Sequence, residues 1–189
     1  MAVDLPAVHE RALDLTGRYV ASVKDQQWSD ATPDEEWDVR ALVNHVVSGN
    51  FWVSPLVEGK TIEEVGNRYD GDVLGGDPAA AYQQSATEAA AAFNAEGAMQ
   101  APCAVSYGPV PGEIYAGHRF IDVLIHGWDL AKATGQDTTL PADLVEAAFE
   151  VVEPQKDLLA ASGMFGSNVQ VPEGADRQTQ LLAELGRRA

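Results

Sequence analysis

Two side chains of one predicted helix have the chemical types and the spacing needed to bind a metal ion together. Asp122 and His126 lie four residues apart in the segment HRFIDVLIHGWDLAKATG, residues 118–135. Because side chains at positions i and i+4 of a helix lie on the same face, a carboxylate and an imidazole in this pattern can ligate one divalent cation. The alternative is a hydrogen-bonded pair on the helix surface, which would stabilise the helix by only about 0.2–0.5 kcal/mol.

A third candidate ligand, His45, lies in another predicted helix, within the sequence VRALVNHVVSGNFW. Three of its four neighbours at helical spacing are small, which predicts a hollow beside the imidazole, and Trp37 and Trp52 are candidate apolar walls. A lone histidine is more commonly buried and satisfied by a carbonyl or a carboxylate. Together, however, His45, Asp122 and His126 would supply three ligands and leave coordination positions open, which is typical of a reactive metal site.

Three further polar residues could assist such a site, and each also has an ordinary explanation. His118 precedes Asp122 by one helical turn, so it could replace a ligand, add a fourth or act as a base, or it could simply lie half-exposed near the helix start. Asp129 follows His126 by one turn and could support the ligand imidazole, or it could be a surface acid. Arg40 could hold a substrate carboxylate through two hydrogen bonds, or it could pair with surface acids.

The composition is that of a globular protein with a strongly acidic surface. The chain has 189 residues, 46% of them hydrophobic, and a formal net charge of −17 from 29 acidic and 12 basic side chains. Nucleic acids and anionic membranes are bound through Lys and Arg, so we expect neither as a partner. No apolar run approaches the ~20 residues that span a bilayer, and the N-terminus has no signal-peptide pattern, which predicts a cytoplasmic location. The single cysteine, Cys103, excludes an internal disulfide and a cysteine-rich zinc site.

The hydrophobic pattern predicts an almost entirely helical chain that forms a single domain over residues 1–189. Helix starts are indicated by Thr32-Pro33 before an acidic run and by Asp77-Pro78, while a glycine follows the second, third and fourth helices. Pro154 is expected to bend or split the fifth helix. The predicted helices cover residues 4–26, about 36–58, 78–97, about 113–134, about 141–161 and about 175–187.

Four main helices joined by long connections predict a four-helix bundle, a fold that builds metal sites from facing side chains in its core. The fourth helix has two distinct faces, and we expect the face that carries Phe120 and Val123 to supply the core contact alone. The long connections at 59–77 and 162–174 are expected to wall a pocket. A short extended piece is expected within residues 98–112.

Four segments of the chain together resemble a known family. They are EWDVRALVNHVV (36–47), YDGDVLGGDP (69–78), HGWDLAKATGQD (126–137) and LLAELGRR (181–188). The chain resembles the DinB-like metal-binding four-helix bundles of the mycothiol-dependent maleylpyruvate isomerase N-terminal domain family. The resemblance implies an all-α bundle that holds a divalent metal, commonly zinc or nickel, on His45, Asp122 and His126. The isomerase relative carries Glu where this chain has Asp122, whose side chain is shorter by one methylene.

The resemblance also implies a low-molecular-weight thiol such as mycothiol as co-substrate, a small-molecule substrate and, as in many such bundles, a homodimer. A divalent metal lowers the pKa of bound water to about 7 and deprotonates a bound thiol. Three hypotheses follow: a thiol S-transferase or isomerase, a hydrolase that uses a metal-bound water, and a non-catalytic protein that binds metal or a small ligand. The ligand types alone suit Zn, Ni, Fe and Mn.

Overall fold

The computed structural model describes residues 3–106, 108–155, 169–171 and 173–188. Its contacts divide into two compact units, one made by residues 4–137 and the other containing the described residues from 138 onward. Among the described residues, no helix combines the length and the apolar character that crossing a membrane requires.

The first unit is an α-helical bundle with one small hairpin. Its elements in chain order are α1 Leu5–Ala21, α2 Val39–Val57, α3 Ile62–Val65, α4 Pro78–Asn94, β1 Pro102–Val105, β2 Gly108–Pro111 and α5 Gly112–Thr134. Helix α1 packs against α4 and α5, and α2 packs against the same two helices. The two strands pair antiparallel, with Cys103 opposite Val110, inside the connection where an extended piece was expected. The four long helices confirm the predicted all-α, four-helix bundle.

Helix α5 is buried on two faces rather than on one. Phe120 and Val123 are fully buried, as predicted, but Arg119 and Asp129 on the other face are only 7% and 0% exposed. The expectation that one face alone supplies the core contact is wrong, because both α1 and α2 pack against this helix. Helix α5 therefore carries polar side chains into the interior of the bundle.

The start of α2 lies later than the sequence predicts, because a polar side chain ties the preceding segment into a loop. The Thr32 hydroxyl donates to the carbonyl of Trp37 at 2.8 Å and accepts from the backbone N–H of Asp34 at 3.2 Å. Asp38 then caps the helix, since its carboxylate accepts from the N–H of Ala41 at 2.8 Å. The acidic run that was predicted to open the helix is instead a loop that brings Trp37 to α2.

The long connection after α2 is fastened to that helix by side-chain hydrogen bonds. Asn44 donates to the carbonyl of Gly71 at 2.8 Å and accepts from the N–H of Val73 at 2.9 Å. Ser48, one turn later, donates to the carbonyl of Tyr69 at 3.0 Å. These bonds hold residues 69–73, here named the α2 loop, against the helix face that carries Asn44 and Ser48.

The remaining boundaries of the first unit follow the sequence signals in part. Helix α4 begins after Asp77, whose carboxylate accepts from the N–H of Ala80 at 3.0 Å, as expected of a cap. Helix α5 ends before Gly135, which has the left-handed backbone that favours glycine. Helices α1 and α4 end earlier than predicted, at Ala21 and Asn94, where no glycine marks the end.

The second unit contains two α-helices among its described residues, α6 Ala142–Val152 and α7 Arg177–Glu184. Helix α6 passes into a short 3-10 turn at Glu153–Gln155, which confirms the predicted break at the proline in that turn. Arg177 joins the two helices through an ion pair with Glu146 at 2.9 Å and by stacking over Phe149. The predicted continuation of the fifth helix over 156–161, and most of the predicted loop after it, lie outside the described residues.

Candidate metal centre

Helices α2 and α5 bring three of the predicted residues into one cluster. The Nε2 atom of His45 lies 3.2 Å from Oδ1 of Asp122, and the Nε2 atom of His126 lies 3.6 Å from the same oxygen. One ligand atom from each residue lies within 4.8 Å of the other two. In the part of the chain that the structure describes, no other three histidine, cysteine or acidic residues are grouped in this way. We name these three residues the His–Asp–His cluster.

An aromatic side chain covers one side of the cluster. The Trp37 indole stacks on the His45 imidazole with ring centroids 4.5 Å apart, and its centroid lies 5.4 Å from that of His126. The two imidazoles meet edge to face at 5.0 Å. Trp52, the other predicted wall, instead packs against Tyr69 with centroids 5.9 Å apart. The loop before α2 therefore supplies an apolar boundary to the cluster.

The imidazole of His126 has a carboxylate on the side away from the cluster. Its Nδ1 atom lies 3.2 Å from Oδ2 of Asp129, which is completely buried. Because a carboxylate accepts hydrogen bonds, Nδ1 is the ring nitrogen in position to donate to Asp129, and Nε2 is the one that faces Asp122. The structure thus brings Asp129 to the position that a supporting residue would need.

Sequence reasoning did not assign a role to Arg119, which contacts the cluster directly. Its Nη1 donates to Oδ2 of Asp122 at 2.8 Å, and its Nη2 donates to Oδ1 of Asn50 at 3.0 Å and to the carbonyl of Val46 at 3.4 Å. The guanidinium is almost fully buried. The available signal was the i,i+3 spacing of Arg119 and Asp122, which is also common on helix surfaces.

The hollow that the sequence predicted beside His45 is partly filled. Gly49 does leave space next to α2, but the guanidinium of Arg119 occupies it, and an added Cβ at Gly49 would overlap Nη1. The expectation of an empty space at this position is therefore wrong. The small side chain accommodates an arginine from α5 instead.

Two of the predicted assisting residues are not members of the cluster. His118 is half-buried and is not one of the three residues whose ligand atoms converge. Arg40 donates to Oδ2 of Asp72 at 2.8 Å and to the carbonyl of Gly75 at 3.0 Å, with about two-fifths of its side chain exposed. These contacts are the surface ion pairing that was the alternative for Arg40, and its role toward a substrate stays a prediction.

Comparison with known proteins places the cluster inside one recognised domain. The model of the mycothiol maleylpyruvate isomerase N-terminal domain matches residues 9–131, which include His45, Asp122 and His126. The chain belongs to this family. The uncharacterized proteins MT0763 and Rv0738 of Mycobacterium tuberculosis are each 36% identical to it over 187 residues, which is 95% of this chain and 95% of their own length.

Solved structures share the fold of this family member. The crystal structure of the mycothiol-dependent maleylpyruvate isomerase matches with a TM-score of 0.64 at 16% identity, over 85% of this chain and 71% of that chain. A mutant of the same isomerase gives the same TM-score over 87% of this chain and 73% of its own. The family and the DinB-like fold predicted from sequence are both confirmed.

The charges around Asp122 favour its ionised form. Burial by itself would raise the pKa of this carboxyl, but the Arg119 guanidinium and then the imidazoles of His45 and His126 act in the opposite direction. The combined effect holds the pKa of Asp122 well below its usual range. In this family member, the carboxylate is therefore an anion that faces two imidazole nitrogens.

The donor set of the cluster fits a divalent transition metal. Two imidazole nitrogens and one carboxylate oxygen are ligands of the type that zinc and nickel accept, and three protein ligands leave positions for water or substrate. The Nδ1 atom of His126 is already engaged by Asp129, so its Nε2 is the free ligand atom. The residues present thus match the group that the family resemblance implies.

Proposed function

We propose that this chain is a divalent-metal-dependent enzyme that uses a low-molecular-weight thiol of the mycothiol type for S-transfer or isomerisation. The observation that carries the proposal is the convergence of His45, Asp122 and His126 within a domain of the mycothiol maleylpyruvate isomerase family. The three residues would hold the ion, for which zinc and nickel are the candidates. When bound, such an ion makes a thiol or a water nucleophilic near neutral pH.

The residues around the cluster supply orientation and shielding in this proposal. Asp129 holds the His126 ring so that Nε2 faces inward, and Arg119 keeps Asp122 ionised. Trp37 covers the imidazoles on one side and limits the access of water there. The open coordination positions would orient the thiol sulfur against a small-molecule substrate.

The proposed cellular location and partners are inferred from composition and from the family, not from the geometry of the site. A net charge of −17 disfavours nucleic acid as a partner. The small-molecule substrate in this proposal is suggested by the isomerase relatives. A single cysteine in 189 residues is in keeping with the reducing cytoplasm, where we place the activity. A homodimer, common in such bundles, is part of the same proposal.

The first experiment is a metal analysis of the purified full-length protein, followed by calorimetric titration of the metal-loaded form with mycothiol. We expect about one equivalent of zinc or nickel per chain, with loss of the metal in His45→Ala and His126→Ala. His118→Ala, a histidine of the same helix outside the cluster, is the matched control and should retain the metal.

The thiol titration then separates the proposed function from its alternatives. Binding of mycothiol that requires the metal supports the transferase or isomerase. A metal-loaded protein that does not bind mycothiol but cleaves activated esters or amides would support the hydrolase instead. A metal-loaded protein with neither property would be a non-catalytic binding protein. A protein without metal would rule out both enzymatic hypotheses and leave only a protein that binds a small ligand.

A further inference from the structure

The geometry points to Arg119 as a positioning residue that makes Asp122 a one-oxygen ligand. This inference rests on the proposed function, because it assumes that the His–Asp–His cluster holds a metal. Arg119 would occupy one carboxylate oxygen and so present only the other to the ion. The arginine would act through Asp122 and would not contact the metal or the substrate.

The two oxygens of Asp122 have different surroundings. Oδ1 lies 3.2 Å from Nε2 of His45 and 3.6 Å from Nε2 of His126, so it is the oxygen that faces the cluster. Oδ2 accepts a hydrogen bond from Nη1 of Arg119 at 2.8 Å. A charge-assisted bond of this length is strong enough to fix the carboxylate plane. An ion in the cluster would therefore meet Oδ1 alone.

Arg119 is itself fixed by a chain of buried polar groups that crosses three helices. Its Nη2 donates to Oδ1 of Asn50 in α2, and Asn50 donates to the hydroxyl of Ser85 in α4 at 3.2 Å. Ser85 in turn donates to the carbonyl of Tyr82 at 2.9 Å. Asn50 and Ser85 have no solvent exposure. Movement of the guanidinium would thus break bonds in the core of the bundle.

The details of this arrangement favour a positioning role over simple packing. The Nε atom of Arg119 is buried and has no hydrogen-bond partner among the described residues, which costs stability. A well-packed apolar residue would often serve stability as well as a buried ion pair does. The absence of a Cβ at Gly49 also leaves room for the guanidinium. The site thus retains a costly charge at the oxygen that faces away from the imidazoles.

The test compares metal binding by Arg119→Met and Arg119→Lys with the unmodified full-length protein. Zinc affinity is measured by competition with a chromophoric chelator, and coordination is read from the visible absorption bands of the Co²⁺-loaded protein. We expect Arg119→Met to bind zinc roughly 10–100-fold more weakly and to shift the Co²⁺ bands. Arg119→Lys, which keeps a donor for Oδ2, should recover part of the loss. Arg177→Met breaks an exposed arginine–carboxylate pair with Glu146 and should change neither readout.

Gly49→Ala provides a test that keeps all charges in place. Alanine is favoured over glycine inside a helix, but its Cβ would displace Nη1 of Arg119. We expect Gly49→Ala to weaken zinc binding and to shift the Co²⁺ bands relative to the unmodified protein, and this test stands even if Arg119→Met does not fold. Gly76→Ala, where an added Cβ meets nothing within 4 Å, is the matched control.

The outcomes separate this inference from the proposed function. Metal binding that is lost in His45→Ala but unchanged in affinity and spectrum in the Arg119 and Gly49 variants would overturn the positioning role and leave the proposed function standing. An unmodified protein that binds no divalent metal would overturn both. Weaker binding with altered bands in Gly49→Ala, together with partial recovery in Arg119→Lys, would support the inference.

Discussion

The Nδ1 atom of His126 lies 3.2 Å from Oδ2 of Asp129, a carboxylate with no solvent exposure. The two residues are three positions apart on α5, so one helix supplies a candidate ligand and the group that orients it. A buried carboxylate in this position also raises the electron density of the imidazole and strengthens its Nε2 as a ligand.

We therefore predict that Asp129→Ala weakens zinc binding by about 10–100-fold, because the His126 ring loses both its orientation and its acceptor. Asp129→Asn keeps an acceptor without the charge and should lose less. The measurement is chelator competition on the full-length protein. Asp14→Asn, at an exposed acid of α1, is the control, and equal affinity in all four proteins would contradict the role of Asp129.

The stacking of Trp37 on His45 at 4.5 Å predicts an optical signal for metal binding. A paramagnetic ion such as Ni²⁺ or Co²⁺ in the cluster should quench the fluorescence of the Trp37 indole strongly. The reason is that the ion would be bound by His45, the imidazole on which this indole stacks. Trp37→Phe should abolish most of the metal-dependent change. Trp52→Phe should preserve it, since Trp52 packs against Tyr69 instead. A change that survives in Trp37→Phe would place the metal elsewhere.

The imidazole of His9 predicts a loss of stability in mild acid. The ring is fully buried, neither nitrogen has a hydrogen-bond partner among the described residues, and it meets Phe93 edge to face at 5.0 Å. Burial first, and then the charge of Arg119, lowers the pKa of His9 to about 3. The folded protein therefore excludes the proton that the unfolded chain binds below pH ~6.5.

The sign of this effect follows from the lowered pKa. Above pH ~6.5 His9 is neutral in both the folded and the unfolded chain, so it does not change the free energy of unfolding. Between pH ~6.5 and 3 only the unfolded chain binds the proton, and the free energy of unfolding falls by about 1.4 kcal/mol for each pH unit. His9→Leu should flatten the dependence of unfolding free energy on pH, measured by urea titration of the metal-free protein from pH 7 to 4.5. His118→Gln is the control. If the free energy of unfolding changed with pH equally in His9→Leu and in the unmodified protein, His9 would be protonated in the folded state as it is in the unfolded chain.

The contact between Gly127 and Thr16 predicts a steric limit on the packing of α1 against α5. An added Cβ at Gly127 would overlap the Thr16 hydroxyl, which donates to the carbonyl of Val123 at 3.0 Å. We expect Gly127→Ala to destabilise the protein by about 1–3 kcal/mol in thermal or urea unfolding. Thr16→Ala in the same chain should relieve part of this loss, so the double variant should be less destabilised than the sum of the two single variants.

The sequence predicted the parts of the site that depend on one helix or on local caps. The spacing of Asp122 and His126 fixes their common face on any helix, and Asp77 and Gly135 act as the cap and the stop that their types indicate. The third cluster member, His45, was suggested by its small neighbours and by the family resemblance. Its contact with Asp122 is a tertiary contact, which the spacing of residues along the chain does not determine.

The features that sequence reasoning missed depend on hydrogen bonds that the helical pattern does not predict. Arg119 reaches Asn50 across 69 positions of the chain, so the i,i+3 pattern with Asp122 did not distinguish a buried pair from a surface pair. Thr32-Pro33 resembles a helix start, but the Thr32 hydroxyl bonds to the carbonyl of Trp37 and closes a loop. Both cases have the same cause, since in each a side chain forms a hydrogen bond with a group outside its own helical pattern.

The bonds of Asn44 and Ser48 to the α2 loop have a consequence for how this domain can change over time. These two residues flank His45 in the chain, so a single helical segment both presents a candidate ligand and anchors the neighbouring connection. Exchanges within residues 69–73 that keep these backbone contacts would alter the surroundings of this segment of α2 while the connection stays anchored. The α2 loop could thus diverge among relatives while the helices that bring His45, Asp122 and His126 together stay the same.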